Sequence, residues 1–339
     1  MPNASPPLPL VFGGGPIGNL QQPVSDADAI AAVERAFDLG IRDFDTAPHY
    51  GRGLSERRVG DALRSREGYV LSTKVGRLML PDASMGMASD LDGFRSPMPF
   101  RPEYDYSAGG IARSHEASLD RLGLARIHRL LVHDIGTFNH AERNGQYWNQ
   151  LTQGGGFRAL ERLREDRTID AIGLGVNEVE ICLSAMREVH LDTVLIAGRY
   201  TLLDQQALDR LLDACLDAGT SVMLGAPFNS GILVTGTRGP ATPYYDYQPA
   251  SPEIIERVRR MEAVAERHAV PLAAAALQFP LGHPAVTGVV AGFRDARQVD
   301  QAVAWMRHLI PDDFWTELVA EGLLRPDAPT PSLRNGAST

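Results

Sequence analysis

Four polar residues have the types and spacing to move a proton. Asp45 ends Ile41-Arg-Asp-Phe-Asp45, and Tyr50 follows in Thr46-Ala-Pro-His-Tyr-Gly51. Lys74 closes Tyr69-Val-Leu-Ser-Thr-Lys74, and His133 closes His128-Arg-Leu-Leu-Val-His133. Charges at the ends of buried apolar runs are costly unless they meet one another. A phenol has a pKa near about 10, and an adjacent ammonium lowers it, so Lys74 is expected to bring Tyr50 towards neutral pH. Asp45 can pair with Lys74, and His133 can donate to and orient a substrate oxygen. The set suits carbonyl–alcohol interconversion. No side chain carries hydride, so a nicotinamide cofactor is implied.

Each residue also has a plainer reading. Asp45 could cap a turn, Tyr50 could be a rim aromatic, Lys74 could be solvated and His133 could be a satisfied core histidine. A rival chemistry would use Asp45, His49, His133 and Asp134 as ligands of a hydrolytic metal, leaving Lys74 and Tyr50 without a role. The leading reading needs no metal.

Short apolar runs alternate with amphipathic segments along the chain. Strands are expected near Leu10–Gly14, Ile41–Asp45, Tyr69–Lys74, Arg129–His133, Ile169–Gly175, Thr193–Ala197, Ser221–Ala226 and Thr287–Ala291. Helical patterns cover Ser25–Leu39, Ser55–Arg66, Ile111–Leu122, Phe157–Asp166, Val179–Val189, Gln205–Ala218, Pro252–His268 and Ala296–His308. Ser25 and Asp28 resemble a capping box, and Gly40 a C-cap. The alternation predicts an α/β fold, a single (β/α)8 TIM barrel with long loops at the C-terminal face, where neighbouring strand ends meet. A doubly wound sheet lacks its glycine fingerprint: Phe12-Gly-Gly-Gly-Pro-Ile-Gly18 is interrupted by Pro16. Three connections, Val75–Ala108, Asp134–Gly156 and Asn229–Ser251, are long enough to build a pocket. The first carries Met79, Met85, Met87, Phe94, Met98, Phe100, Tyr104 and Tyr106 as wall material.

The barrel is expected to span 8–325, with an N-terminal extension over 1–7 and a disordered tail over 326–339. The net charge of -9 argues against nucleic-acid or anionic-membrane surfaces. No run is long and apolar enough to span a bilayer, and Met1-Pro-Asn-Ala-Ser-Pro-Pro does not read as a signal peptide. Cys182 and Cys215 read as reduced and buried, so the expected location is cytoplasmic. No feature of the sequence points to an oligomer.

Asp45-Thr-Ala-Pro-His-Tyr-Gly51, Leu54-Ser-Glu56 and Gly60, with Ser72-Thr-Lys74 and Leu131-Val-His133, resemble the signature of the aldo-keto reductase family. The resemblance runs from about Leu8 to Leu323. It implies Tyr50 as general acid/base, Lys74 and Asp45 as its tuners and His133 as the group that orients the substrate oxygen. Tyr104-Asp-Tyr-Ser107, His115–Gly123, Gly198–Asp204, Phe228–Ile232 and Ala273–Leu281 are similar to a bacterial branch holding aldose 1-dehydrogenases, galactose dehydrogenases and pyridoxal 4-dehydrogenase. The implied activity is NAD(P)-dependent oxidation of an aldose of the L-fucose, D-arabinose or L-galactose type at C1 to the lactone. Pyridoxal 4-dehydrogenase and general aldehyde or ketone reductase are the alternatives. A non-catalytic nucleotide sensor would not need all four polar residues.

The resemblance further implies that Gly15 and Asn177 lie at the cofactor and that Phe228, Asn229, Ser230, Gly231 and Ile232 form a pyrophosphate cradle. Gly292, Phe293, Arg294, Gln298 and Gln301 would lie at the adenosine end. The sequence departs from the family at Val176, Ile196 and Gly225, the last in place of the aromatic that stacks on nicotinamide; Phe228 and Tyr200 are the substitutes to test. Gly292 stands where NADP-preferring members carry Lys, which leans the cofactor towards NAD, although Arg294 could meet a 2′-phosphate. His49 and Arg199 are the polar candidates for substrate contact.

Overall fold

The computed structural model describes residues 8–85, 90–239 and 242–331. Eight parallel strands close into a barrel. They are β1 (Leu10–Gly13), β2 (Asp43–Asp45), β3 (Val70–Val75), β4 (Arg129–His133), β5 (Ala171–Val176), β6 (Thr193–Ala197), β7 (Ser221–Gly225) and β8 (Val286–Gly292). Each pairs with the next, and β1 closes the ring on β8 through Leu10 opposite Val289. The expected barrel is therefore the observed one, with strand ends shifted by one or two residues.

Apolar side chains fill both faces of the strands, as parallel strands covered by helices require. Val11, Leu131, Leu195, Met223 and Val290 form a separate cluster inside the barrel. The larger core lies between the strands and the surrounding helices. The first helix, Asp26–Asp38, starts at the Ser25 cap, whose hydroxyl accepts from the Asp28 N–H at 3.0 Å. Its C-cap is Leu39, and Gly40 follows at φ 97°. The Gln205–Ala218 pattern divides into the turn Gln206–Asp209 and the helix Leu211–Ala218, because Arg210 leaves helical geometry at φ -152°. Helices Leu272–Gln278 and Asp312–Ala320 were not expected; the first is a buried alanine run with no polar face to give it a period.

The long connections carry structure of their own. An antiparallel hairpin pairs Arg77–Pro81 with Phe100–Tyr104 in the first. The helices Thr137–His140 and Asn144–Leu151 occupy the second. The third holds a short helix, Ile232–Thr235, and a ladder of Tyr244–Tyr245 with Gln248–Pro249. Residues 1–7 lie outside the described residues, as does Met87. The expected tail disorder fails for 326–331: Ala328 is buried, and the Pro329 carbonyl accepts from the Tyr200 hydroxyl at 3.4 Å. Residues 332–339 lie outside the described residues. Cys182 and Cys215 are free and buried, and burial raises both thiol pKa values, that of Cys215 to about 12. Among the described residues no helix is long and apolar enough to cross a membrane.

Gly60 sets the spacing between two helices that flank the site. It lies in the helix Leu54–Leu63, where a Cβ would fall 1.7 Å from the carbonyl oxygen of Leu122, at the end of the helix Ala108–Leu122. Backbone cannot give way as a flexible side chain can. Gly60→Ala is therefore expected to destabilise the fold by about 2–3 kcal/mol, despite the better helix propensity of alanine. A urea-unfolding midpoint equal to that of the parent would refute this.

Candidate active site

Asp45 and His133 end β2 and β4, and Lys74 stands one residue before the end of β3; the three strands are neighbours, so the three side chains meet at one face of the barrel. Lys74 Nζ lies 2.5 Å from Asp45 Oδ1 and donates to the Thr46 carbonyl at 2.9 Å. Both side chains are closed off from solvent, at 1% and 2% exposure. Gly175 on β5 makes the room, since a Cβ there would sit 2.8 Å from the Lys74 Cε.

Tyr50 opens a tight turn, Tyr50–Gly53, in which Gly51 and Arg52 take left-handed φ values of 64° and 57°. Gly18 packs under this turn so closely that a Cβ would approach the Tyr50 carbonyl carbon to 2.6 Å. The backbone contact fixes the tyrosine ring, whose centroid lies 5.9 Å from Lys74 Nζ and 6.0 Å from the His133 ring, edge to face. His49 completes the group with its centroid 6.2 Å from His133 and 5.2 Å from Phe94.

The electrostatics differ from expectation at Tyr50. Enclosure raises its pKa well above the ordinary value, helped by the carboxylates of Asp45 and Asp134 and opposed by Arg77. Lys74 does not bring the phenol down because Asp45 cancels its charge at contact distance. Burial, then the cations Arg77 and Lys74, hold His133 well below the usual imidazole range. Burial and Arg77 also hold His49 at about 3. The phenol and both imidazoles are neutral near pH 7.

Two further ion pairs surround them. Arg77 donates to Asp134 Oδ2 at 2.6 Å, and Arg52 to Asp92 at 3.1 Å. Arg77 went unnoticed in the sequence, and Asp134 was read only as a metal ligand. Position alone hints at each, since Asp134 directly follows His133 and Arg77 lies just beyond the end of β3, but nothing in the sequence pairs them. The alternative metal set does not assemble, because Asp45 and Asp134 are committed to separate cations. Among the described residues no three His, Cys, Asp or Glu side chains converge on a point.

A cavity of about 400 Å³ opens above Tyr50, Lys74 and His133. His49, Gly15 and Asn177 also line it, and its walls are Leu20, Phe94, Phe138, Leu195 and Tyr247. Of the expected wall residues, Phe94 faces the cavity. Met79 and Tyr106 are buried behind it, where the Tyr106 hydroxyl donates to the His133 carbonyl at 2.8 Å. A smaller hollow of about 80 Å³ adjoins through Asn177, Ala197 and Tyr247 and reaches Asn229 and Ser230.

The remaining predicted cofactor residues divide. Gly231 opens the helix Ile232–Thr235 at φ 98°, with no atom within 4 Å of where a Cβ would stand. Ile232 is fully buried, and Phe228 packs on Trp305 at 6.1 Å, so neither side chain faces the cavity. Phe293 packs into the core on Phe12. Gly292 and Gln301 are exposed. The Arg294 N–H donates to Gln298 Oε1 at 2.8 Å, and its guanidinium donates to the Leu20 carbonyl at 3.4 Å.

Arg199, expected at the substrate, is held as a clamp. Its Nε donates to the Asn177 carbonyl at 2.8 Å, and its other nitrogens bind Asp246 at 3.2 and 3.4 Å. It lines a neighbouring hollow of about 570 Å³ that shares Phe138 and Asn177 with the cavity. Tyr200 is also ruled out as the stacking aromatic, being fully buried against Phe279. The aromatic that does face the cavity is Tyr247, which the sequence gave no reason to choose.

These residues fit a nicotinamide dinucleotide. The buried Asn229 Oδ1 and Arg294 Nε have no hydrogen-bond partner, and Gly15 has open space above it. The three features lie on the loops after β7, β8 and β1, adjacent strands around the mouth.

Residues 9–321 match the family described as the Aldo/keto reductase family. The chain is 45% identical over 324 residues to a pyridoxal 4-dehydrogenase from Microbacterium luteolum, covering 93% of this chain and 94% of the relative. It is 38% identical over 327 residues to a D-threo-aldose 1-dehydrogenase from a Pseudomonas species, covering 95% of each. A solved glycerol dehydrogenase from Gluconobacter oxydans, 20% identical, shares the fold with a TM-score of 0.71 over 98% of this chain and 96% of that one. The chain thus belongs to the aldo/keto reductase family and is one of its NAD(P)-dependent oxidoreductases.

Proposed function

We propose that the chain oxidises a pyridoxal-like hemiacetal to its lactone, with Tyr50 as the proton-transfer residue. The cavity wall carries the proposal. Phe94, Phe138, Tyr247, Leu20 and Leu195 present more apolar than polar surface above Tyr50, which suits a flat heteroaromatic ring. A relative 45% identical is a pyridoxal 4-dehydrogenase, which supports the same reading. The order expected from the sequence, aldose first, is therefore reversed. Aldose oxidation at C1 is the second reading, favoured by the 38% identical aldose dehydrogenase and by the polar groups His49, Asp92 and Asn139 at the cavity.

Pyridoxal closes on its own hydroxymethyl group to a cyclic hemiacetal, so both substrates present a carbon bearing one hydroxyl and one hydrogen. His133, neutral, holds the hydroxyl oxygen by hydrogen bonding. Tyr50 takes the hydroxyl proton as the carbon–oxygen double bond forms. The buried Lys74–Asp45 pair fixes the floor beside the ring. Gly15, Asn177, the 228–232 turn, Arg294 and Gln298 would hold a nicotinamide dinucleotide, which would supply the hydride acceptor. Incubation with pyridoxal and with an aldose panel, each with NAD and NADP, tests the reading by absorbance of the reduced nicotinamide. Turnover of aldoses but not pyridoxal would reverse the order again.

Tyr50→Phe should bind cofactor as the parent does, by quenching of protein fluorescence, yet turn over roughly 10²–10⁴-fold more slowly. Near-normal turnover would remove Tyr50 from the proton-transfer role.

The pH dependence follows from the raised phenol. Oxidation needs the deprotonated form, which is scarce below the folded pKa and rises about tenfold per pH unit. The oxidative rate should climb steadily from about pH 7 to 9, with no inflection near 6.5, because His133 is already neutral. A flat oxidative profile would contradict this assignment.

For the cofactor we read a preference for NAD. Arg294 is drawn to the Leu20 carbonyl, and Gly292 offers no second cation for a 2′-phosphate. Initial rates should give NAD the larger kcat/KM; a larger value with NADP overturns the preference.

A further inference from the structure

We propose that Asp134, anchored by Arg77, is a specificity-determining residue that accepts a hydrogen bond from a substrate hydroxyl next to the reacting carbon. This deepens the function above and rests on Tyr50 and His133 as the residues that hold the reacting oxygen. Asp134 follows His133 at the end of β4 and lines the same cavity. Its Oδ2 lies 3.6 Å from His133 Nε2, so an oxygen held by His133 has this carboxylate beside it.

The carboxylate is fixed in place. Arg77 donates to Oδ2 at 2.6 Å, is itself 5% exposed, and lies 4.8 Å from the Tyr104 ring centroid. Asp134 holds a left-handed φ of 53°, a conformation that recurs where backbone strain serves a site. Among the described residues only Oδ2 is engaged by a side chain, which leaves Oδ1 for a ligand.

Apolar residues of similar volume commonly serve a buried position as well as an ion pair does, so an acid at a cavity wall is better matched by a donor on the substrate. Pyridoxal carries a phenolic hydroxyl on the ring carbon beside the one bearing its aldehyde. An aldose carries a hydroxyl on C2. The aldose C2 hydroxyl, and the pyridoxal 3-hydroxyl in its protonated form, each set a donor beside the reacting oxygen, so the inferred substrate class is an aldehyde or hemiacetal with a neighbouring protonated hydroxyl.

The test compares matched pairs with the unmodified enzyme: pyridoxal with 3-deoxypyridoxal, and an aldose with its 2-deoxy analogue. In the pair that is turned over, the hydroxylated member should have a kcat/KM roughly 10- to 100-fold higher, because its loss leaves a buried acceptor unpaired. Equal values would overturn the role of Asp134 and leave the Tyr50 reading standing. No turnover of any of the four with either nicotinamide would overturn both. Asp134→Asn, which keeps the shape and removes the charge, should reduce the ratio at least about fivefold. A merely structural role would lower both members together, so an unchanged ratio refutes the inference.

Discussion

The contact between the Lys74 ammonium and the Asp45 carboxylate constrains more of this molecule than any other. Neither group reaches solvent, so each is tolerable only through the other. Removing one partner of such a pair costs about 3–5 kcal/mol, because the remaining charge is buried alone. The requirement reaches into the barrel itself. β2 and β3 must be neighbours in a register that sets Asp45 opposite Ser72, two residues before Lys74. β5 must offer a glycine at 175 so that the lysine stem can cross. The Thr46 carbonyl must turn inward to take a second ammonium hydrogen. That inward turn begins the segment that carries Tyr50 over the pair.

Much of this arrangement was legible because charges ending apolar runs are conspicuous. Asp45, Lys74 and His133 each close a strand-like segment, and the alternation of strands with helices implies that such ends converge. What stayed hidden depends on partners far apart in sequence. Arg77 is 57 residues from Asp134, and Arg199 is 47 from Asp246. A guanidinium in a loop reads as a possible ligand contact until its carboxylate is located. The hairpin of Arg77–Pro81 with Phe100–Tyr104 escapes a reading from sequence because Pro102 sits inside its second strand, although that strand alternates in burial. The phenol of Tyr50 shows the same limit. Sequence supplies the ammonium and its Asp45 partner but neither the contact distance at which they cancel nor the enclosure that sets the sign of the shift.

The third connection shows how a loop without a long element is held at the cavity. Asp246 and Tyr247 take left-handed φ values of 46° and 66°, uncommon for such residues. The strain is offset by Arg199 on Asp246 and by the Tyr247 N–H donating to Ser230 Oγ at 2.9 Å. Arg199 also binds the Asn177 carbonyl, so one buried cation ties the loop after β7 to the end of β5. The aromatic face of Tyr247 is thereby set over the boundary between the two hollows. Gly225, at the end of β7, leaves that boundary without an aromatic of its own.

Charge balance around the cavity follows from the same economy. Lys74 with Asp45, Arg77 with Asp134 and Arg52 with Asp92 are three opposed pairs around Tyr50, His49 and His133. Each closes locally, so the uncharged phenol and imidazoles sit in a region whose fixed charges nearly cancel. A cavity of this kind has little net field with which to sort ligands by charge. Discrimination then falls to hydrogen bonds whose geometry the ion pairs hold rigid, and to the apolar wall that excludes water around them. The pairs act less as sources of stability than as fixed mounts: each cation holds a carboxylate in one orientation, and that orientation decides which substrate hydroxyls are matched and which are left unpaired.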